Sequence, residues 1–126
     1  MSLASRRALD RLQKRYARHA AALAEVDFML KGSMVERFLP CGSTGCHCHA
    51  DPPRLHGPYW YWSGRLQGKL VSRMLPPAQV PLYQEWMDNA RRFDAIVDEM
   101  HDLSAQAAAL LDALHRAKTK KSAARR

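Results

Sequence analysis

Cys41-Gly42-Ser43-Thr44-Gly45-Cys46-His47-Cys48-His49 and, seven residues on, His56-Gly57-Pro58-Tyr59-Trp60-Tyr61-Trp62 decide how the 126-residue chain is read. Three cysteines fall within eight residues, and an odd number of thiols cannot pair off completely. Thiols packed this closely are better metal ligands than disulfide partners. Zinc takes four nitrogen or sulfur ligands in a tetrahedron, and Gly42 and Gly45 give the backbone freedom to fold around an ion. In extended chain Cys46 and Cys48 would point the same way. The fourth ligand is a choice among histidines. His56 leads, at the entrance to the aromatic stretch; His49 is second; His47 is third, because it should point away from the neighbouring cysteines.

Other readings of the cluster are free cysteines filling a small core and a catalytic cysteine beside His47 or His49, since thiolates are activated by neighbouring cations. A catalytic zinc keeps an open position and usually a carboxylate base. Asp51 is the local candidate, next to Pro52-Pro53 in an expected turn. The sequence contains no convincing nucleophile–base–acid set, so no catalytic residue is assigned, no enzyme is expected, and the zinc is read as structural.

Working outward, Ser33–Leu39 reads as a strand entering the cluster. Pro58–Trp62 is dense in aromatic strand formers, and Lys69–Leu75 is its partner. Ser63–Gly68 closes the hairpin with two glycines. Before this region, Leu9, Leu12, Tyr16, Ala20, Leu23, Val26 and Leu30 recur in steps of three and four, predicting a helix over 5–31 ended by Gly32. After Pro76-Pro77, Leu82, Trp86, Ala90, Phe93, Val97, Met100, Leu103, Ala107, Leu110 and Leu114 predict a long helix over 77–117. The expected fold is α+β in a single domain over 1–126. Two long helices, as a helical hairpin or a coiled coil, flank a zinc knuckle at 33–75 with a β-hairpin or three-stranded sheet, and a basic tail occupies 118–126. The last eleven residues are expected to be disordered without a partner.

The formal net charge is +8, and it is uneven. Arg6, Arg7, Arg11, Lys14, Arg15 and Arg18 stand near the start against Asp10, and residues 116–126 hold six cations and no acid. Residues 19–115 hold eight basic and eleven acidic residues. Cationic ends suit a polyanion, nucleic acid first, although basic tails also keep helical proteins soluble. Residues 52–76 carry Arg54, Arg65, Lys69 and Arg73 and no acid. A ribbon of cations and tyrosines fits a DNA groove or backbone. The candidate nucleic-acid contacts are Arg37, Arg65, Lys69, Arg73, Lys118, Lys120 and Lys121; the opposing reading leaves the aromatics packing the sheet and the cations as a solvated edge. DNA is the expected partner, and the long helix could form a homodimer. No apolar run approaches the roughly 20 residues that span a bilayer, and no signal-peptide pattern follows the first basic residues, so a cytoplasmic protein is expected.

Arg37-Phe38, Cys41-x4-Cys46-x-Cys48, His56-Gly57-Pro58-Tyr59-Trp60-Tyr61, Gly68-Lys69, Ser72-Arg73 and Leu75-Pro76-Pro77 together resemble a bacterial domain-of-unknown-function family. That family is often encoded near transposases and recombinases. The resemblance spans roughly residues 32–100 and departs at Trp60 and Trp62, where tyrosine or other hydrophobic residues are expected. It implies that Cys41, Cys46, Cys48 and His56 form the family signature, and that a transposase or recombinase is a partner class. It implies no established activity.

Overall fold

The structure is a computed structural model and describes residues 1–124. Its elements are helix α1 (Leu3–Leu23), strands β1 (Ser33–Leu39), β2 (His56–Leu66) and β3 (Lys69–Leu75), and helix α2 (Val80–Ala124). Short 3-10 turns occupy His47–His49 and Pro77–Gln79. This is an α+β fold, as the sequence predicts: two helices, one antiparallel sheet and a Cys3His cluster beside its strands. The chain forms two compact units, one of residues 28–91 and the other of residues 1–27 with the chain from 92 onward. No helix among the described residues is long and apolar enough to cross a membrane.

In the sheet unit the strand order is β1-β2-β3, so β2 is hydrogen-bonded on both sides. The hairpin is tighter than the predicted 63–68 loop. β2 runs on to Leu66, and the turn is Gln67-Gly68, with φ of 53° and 79°. Two successive positive φ values match the strand twist, which is why two-residue hairpins favour them. Register puts Met34, Trp62 and Arg73 side by side across the three strands, and Gly64 against Val71. Trp62 is fully buried and forms the core with Leu75 and Met87. Leu30, Met34, Leu66, Val71, Val80 and Tyr83 pack around it. The glycines beside Trp62 have a steric purpose. A Cβ on Gly32 would run into the indole Nε1, and one on Gly64 would lie 2.5 Å from its Cζ2 and 2.7 Å from the Lys31 carbonyl.

Helix α1 begins where the Ser2 hydroxyl accepts the Ser5 backbone N–H at 3.1 Å, an N-cap bond. It ends at Leu23, short of the predicted residue 31. Ala24, Glu25 and Val26 turn back to the carbonyls of Ala21, Ala22 and Leu23 in i→i+3 bonds, the tightened last turn of a helix. Beyond it, Leu30 donates its N–H to the Trp86 carbonyl, and Asn89 donates to the Phe28 carbonyl. These residues serve the sheet unit. In the helical unit Leu12 and Tyr16 line a groove with Leu103, Ser104 and Ala107. Met1 and Ser2 share another with Leu111, Leu114, Lys118 and Lys121. The two helices of this unit therefore run antiparallel. Ile96 and Leu103 are buried, whereas α1 has no fully buried residue.

The expected disorder at the C-terminus is corrected: α2 continues to Ala124. Alanine and lysine are good helix formers. Arg116 pairs with Asp112 at 3.1 Å, and Thr119 donates to the His115 carbonyl. Arg125 and Arg126 of the predicted basic tail lie outside the described residues.

Candidate metal centre

The four residues of the cluster come from a strand end, a loop and a strand start. Cys41 follows β1 after Pro40, and His56 opens β2 opposite Leu39. Between Leu39↔His56 and Arg37↔Tyr59 the register shifts, leaving an extra residue in β2 at Gly57-Pro58. Proline cannot donate to a ladder, so it suits such a bulge. Gly57 has φ 145°, and a Cβ there would lie 2.8 Å from the Arg37 carbonyl and 2.9 Å from the Phe38 ring. The bulge re-aims His56 toward the loop cysteines.

The loop is built by its own backbone. Cys46 donates its N–H to the Ser43 carbonyl at 3.2 Å, closing a turn over Thr44-Gly45. His49 and Ala50 donate to Cys46 and His47 in the 3-10 turn, and Arg54 donates to the His47 carbonyl at 3.2 Å. The Cys46–Cys48 segment is thus a turn, not the extended chain predicted, and the turn brings Cys48 inward, where it is buried.

One donor atom from each of Cys41, Cys46, Cys48 and His56 lies within 4.8 Å of all the others. The Cys41 and Cys48 sulfurs are 3.6 Å apart, and the Cys46 sulfur is 3.2 Å from His56 Nε2. A tetrahedral ion with metal–sulfur bonds of about 2.3 Å and a metal–nitrogen bond of about 2.0 Å has sulfur–sulfur edges of about 3.8 Å and sulfur–nitrogen edges of about 3.5 Å. These two separations lie close to the edges of such a tetrahedron, and the four residues could hold a metal ion. The Cys41 N–H donates to the Cys48 sulfur at 3.3 Å, a bond that favours a thiolate.

The thiols differ in acidity. The Cys48 backbone lowers the Cys46 thiol from its ordinary 9.0 to about 6; the His56 ring and the other two cysteines add to this, and burial opposes it. Burial pushes the Cys48 thiol up, and the Cys41 and Cys46 side chains push the same way. The two histidines ranked behind His56 differ in their surroundings. His49 Nε2 lies 2.8 Å from the Cys41 carbonyl, which it can only reach as a donor. His47, expected to point away, lies against the cluster: its Nδ1 is 3.7 Å from the Cys46 sulfur and its ring centroid 5.1 Å from that of His56. The turn at 47–49 does this, and alternation along an extended chain could not have foreseen it.

The cations proposed for nucleic acid do not share one surface. Arg37 and Arg65 sit on the sheet face that carries Tyr59, Tyr61, Ser63, Ser72 and Met74. The Arg37 guanidinium stacks 4.7 Å over the Tyr61 ring, and the Ser63 and Ser72 hydroxyls bond across the strands at 3.1 Å. Lys69 and Arg73 belong to the opposite face, in register with Leu66 and Trp62. Paired residues face the same way, so the register in which β3 enters divides the hairpin cations between the two faces. Lys118, Lys120 and Lys121 lie in the last turns of α2.

No curated protein and no solved structure matches the chain. Residues 5–85, more than half of its length and including the whole sheet and all four clustered residues, match the family described as Domain of unknown function (DUF6788), and the chain belongs to that family.

Proposed function

We propose that this protein is a zinc-stabilised nucleic-acid-binding accessory protein, with DNA as its expected target. The observation that carries this reading is the open sheet face. It presents Arg37, Arg65, Tyr59, Tyr61, Ser63 and Ser72, and no carboxylate. Arginine and hydroxyl groups meet phosphates, and tyrosine rings stack on bases or sugars. The Arg37–Tyr61 stack holds one cation in place before binding. Lys69 and Arg73 on the other face of the edge strand would reach the backbone from the side.

Zinc is the metal that three thiolates and one imidazole fit best. Cys41, Cys46, Cys48 and His56 would fill all four positions, so a bound ion would be structural, and these residues would tie the end of β1 to the start of β2 and keep the open face in shape. Reduced thiols kept for a metal suit the cytoplasm. What supports an accessory role beside a transposase or recombinase is the resemblance to a family encoded near such enzymes. No catalytic residue belongs to this reading.

The test combines metal and DNA. Purified protein is expected to carry about one zinc per chain, lost in Cys46→Ser. A salt-dependent gel shift on duplex DNA is expected to weaken most in Arg37→Gln/Arg65→Gln and less in Lys69→Gln/Arg73→Gln. Zinc-free folded protein would remove the metal half of the reading, and no shift at low salt would remove the other.

A second reading, a protein-interaction adaptor acting through its helices, draws on the groove of about 250 Å³ lined by Leu12, Tyr16 and Leu103. Val97 is 39% exposed and Leu111 48%, apolar surface suited to a partner helix or a homodimer through α2. Light scattering that gives a monomer at micromolar concentration would set the homodimer aside.

A further inference from the structure

The antiparallel course of α1 and α2 in the helical unit joins two cationic runs that stand at opposite ends of the sequence. Met1 and Ser2 meet Lys118 and Lys121 across a groove of about 450 Å³. Farther along, Leu12 and Tyr16 face Leu103 and Ala107. Interpolating between those contacts at about 1.5 Å per residue sets Arg6 and Arg7 level with the turn of α2 that holds Asp112 and Arg116. Arg6, Arg7, Arg11, Arg116, Lys118, Lys120 and Lys121 thus share one end of the helix pair, and all are exposed.

Two carboxylates lie in this stretch, and both are already taken. Asp10 pairs with Lys14 and Asp112 with Arg116, each at 3.1 Å within its own helix. Arg6, Arg7, Arg11, Lys118, Lys120 and Lys121 have no carboxylate partner among the described residues. On α2, Asp98, Glu99 and Asp102 stand nearly three turns or more before Asp112. Like charges gathered without counterions destabilise the fold that gathers them, and an extended polyanion relieves that repulsion by releasing its own counterions. The cations spread around two helix ends rather than enclosing a pocket, which matches a lattice of phosphates better than a single anion.

We infer that this joined end is a second phosphate-backbone surface, built from the first turns of α1 and the last turns of α2. It rests on the nucleic-acid reading above and adds Arg6, Arg7 and Arg11 to the contact set. The sheet face and the helix end would then each hold backbone phosphates.

The test uses the full-length zinc-loaded protein and a fluorescent mixed-sequence DNA duplex, with affinity followed by anisotropy between 50 and 200 mM salt as working conditions. Each phosphate contact contributes about 0.9 to the slope of log K against log salt. Arg6→Gln/Arg7→Gln is expected to flatten the slope by about 1.8 and Lys118→Gln/Lys120→Gln/Lys121→Gln by about 2.7. A second readout tests the convergence itself. At low salt each set raises the melting temperature, and the combined variant raises it by less than the sum, because each run is relieved by loss of the other. Unchanged slopes in both end variants, with binding lost in Arg37→Gln/Arg65→Gln, would overturn this inference and leave the nucleic-acid reading standing. No duplex binding by the parent protein would overturn both. Binding of polyglutamate as tightly as duplex would overturn the assignment to nucleic acid.

Discussion

The two ends of the sheet are held by different physics. At one end Cys41, Cys46, Cys48 and His56 gather on a glycine-bearing loop where Cys48 alone is buried. At the other Trp62 lies fully enclosed, with Leu75 and Met87 against it. One end has donors and almost no apolar burial; the other has apolar burial and one indole Nε1 with no hydrogen-bond partner among the described residues. Trp62 is the fully buried side chain of this core, Leu75 and Met87 are nearly so, and six half-buried hydrophobics pack around them. The comparison teaches that the two ends depend on different things: the donor end could be drawn together by a metal ion, whereas the tryptophan end closes on side-chain packing.

Metal removal is the strongest way to break that contrast. Structural zinc contributes about 10–16 kcal/mol of apparent folding free energy in small domains. Chelation, or Cys48→Ser, is expected to abolish the near-ultraviolet circular dichroism of the buried Trp62 and the amide protection of β1 and β2. Helical far-ultraviolet signal from α1 and the distal part of α2 is expected to persist. A Trp62 signal that survives chelation would show the apolar end to be self-sufficient.

Trp62→Ala comes next, with an expected loss of about 3–5 kcal/mol in chemical denaturation and zinc content unchanged below the midpoint. Gly64→Ala attacks the same site from the backbone. Its Cβ would press on the indole and on the Lys31 carbonyl, and overpacking of this kind costs about 1–3 kcal/mol. Gly57→Ala is its counterpart at the metal end. There positive φ and the Arg37 carbonyl oppose any side chain, at about 1–3 kcal/mol, and zinc affinity is expected to fall along with stability. If Gly57→Ala lowered stability and left zinc affinity intact, the bulge would not be what aims His56.

The gathering of Cys41, Cys46, Cys48 and His56 was legible because soft donors that close in sequence have few other uses, and the α+β architecture followed from the change of period at Gly32 and Pro76. The end of α1 was not legible. Val26 and Leu30 keep the three-and-four step, but Leu30 is apolar because it packs on Trp62, so one pattern served two structures. The faces of the cations were equally hidden, since a shift of one residue in β3 would exchange Lys69 and Arg73 with Leu70 and Ser72. The persistence of α2 to Ala124 depended on local helix chemistry, Arg116 with Asp112 and Thr119 with His115, in a stretch whose charge alone argued for disorder.

The finest contrast lies inside the cluster, between Cys46 and Cys48. The Cys48 backbone and the His56 ring bring the Cys46 thiol down to about 6, while burial raises Cys48. The thiolate is the form that alkylates. In metal-free protein Cys46 is therefore expected to ionise at lower pH than Cys48 and to react before it with iodoacetamide at pH 7. As pH falls through 6 the Cys46 thiolate takes up its proton, and its lead shrinks. Mass spectrometry of partly alkylated protein across this range measures the order directly, and added zinc is expected to slow both sites together. Equal rates for the two cysteines at pH 7 would mean that without an ion the loop loses its turn at 47–49, and with it the hydrogen bonds that separate the two thiols.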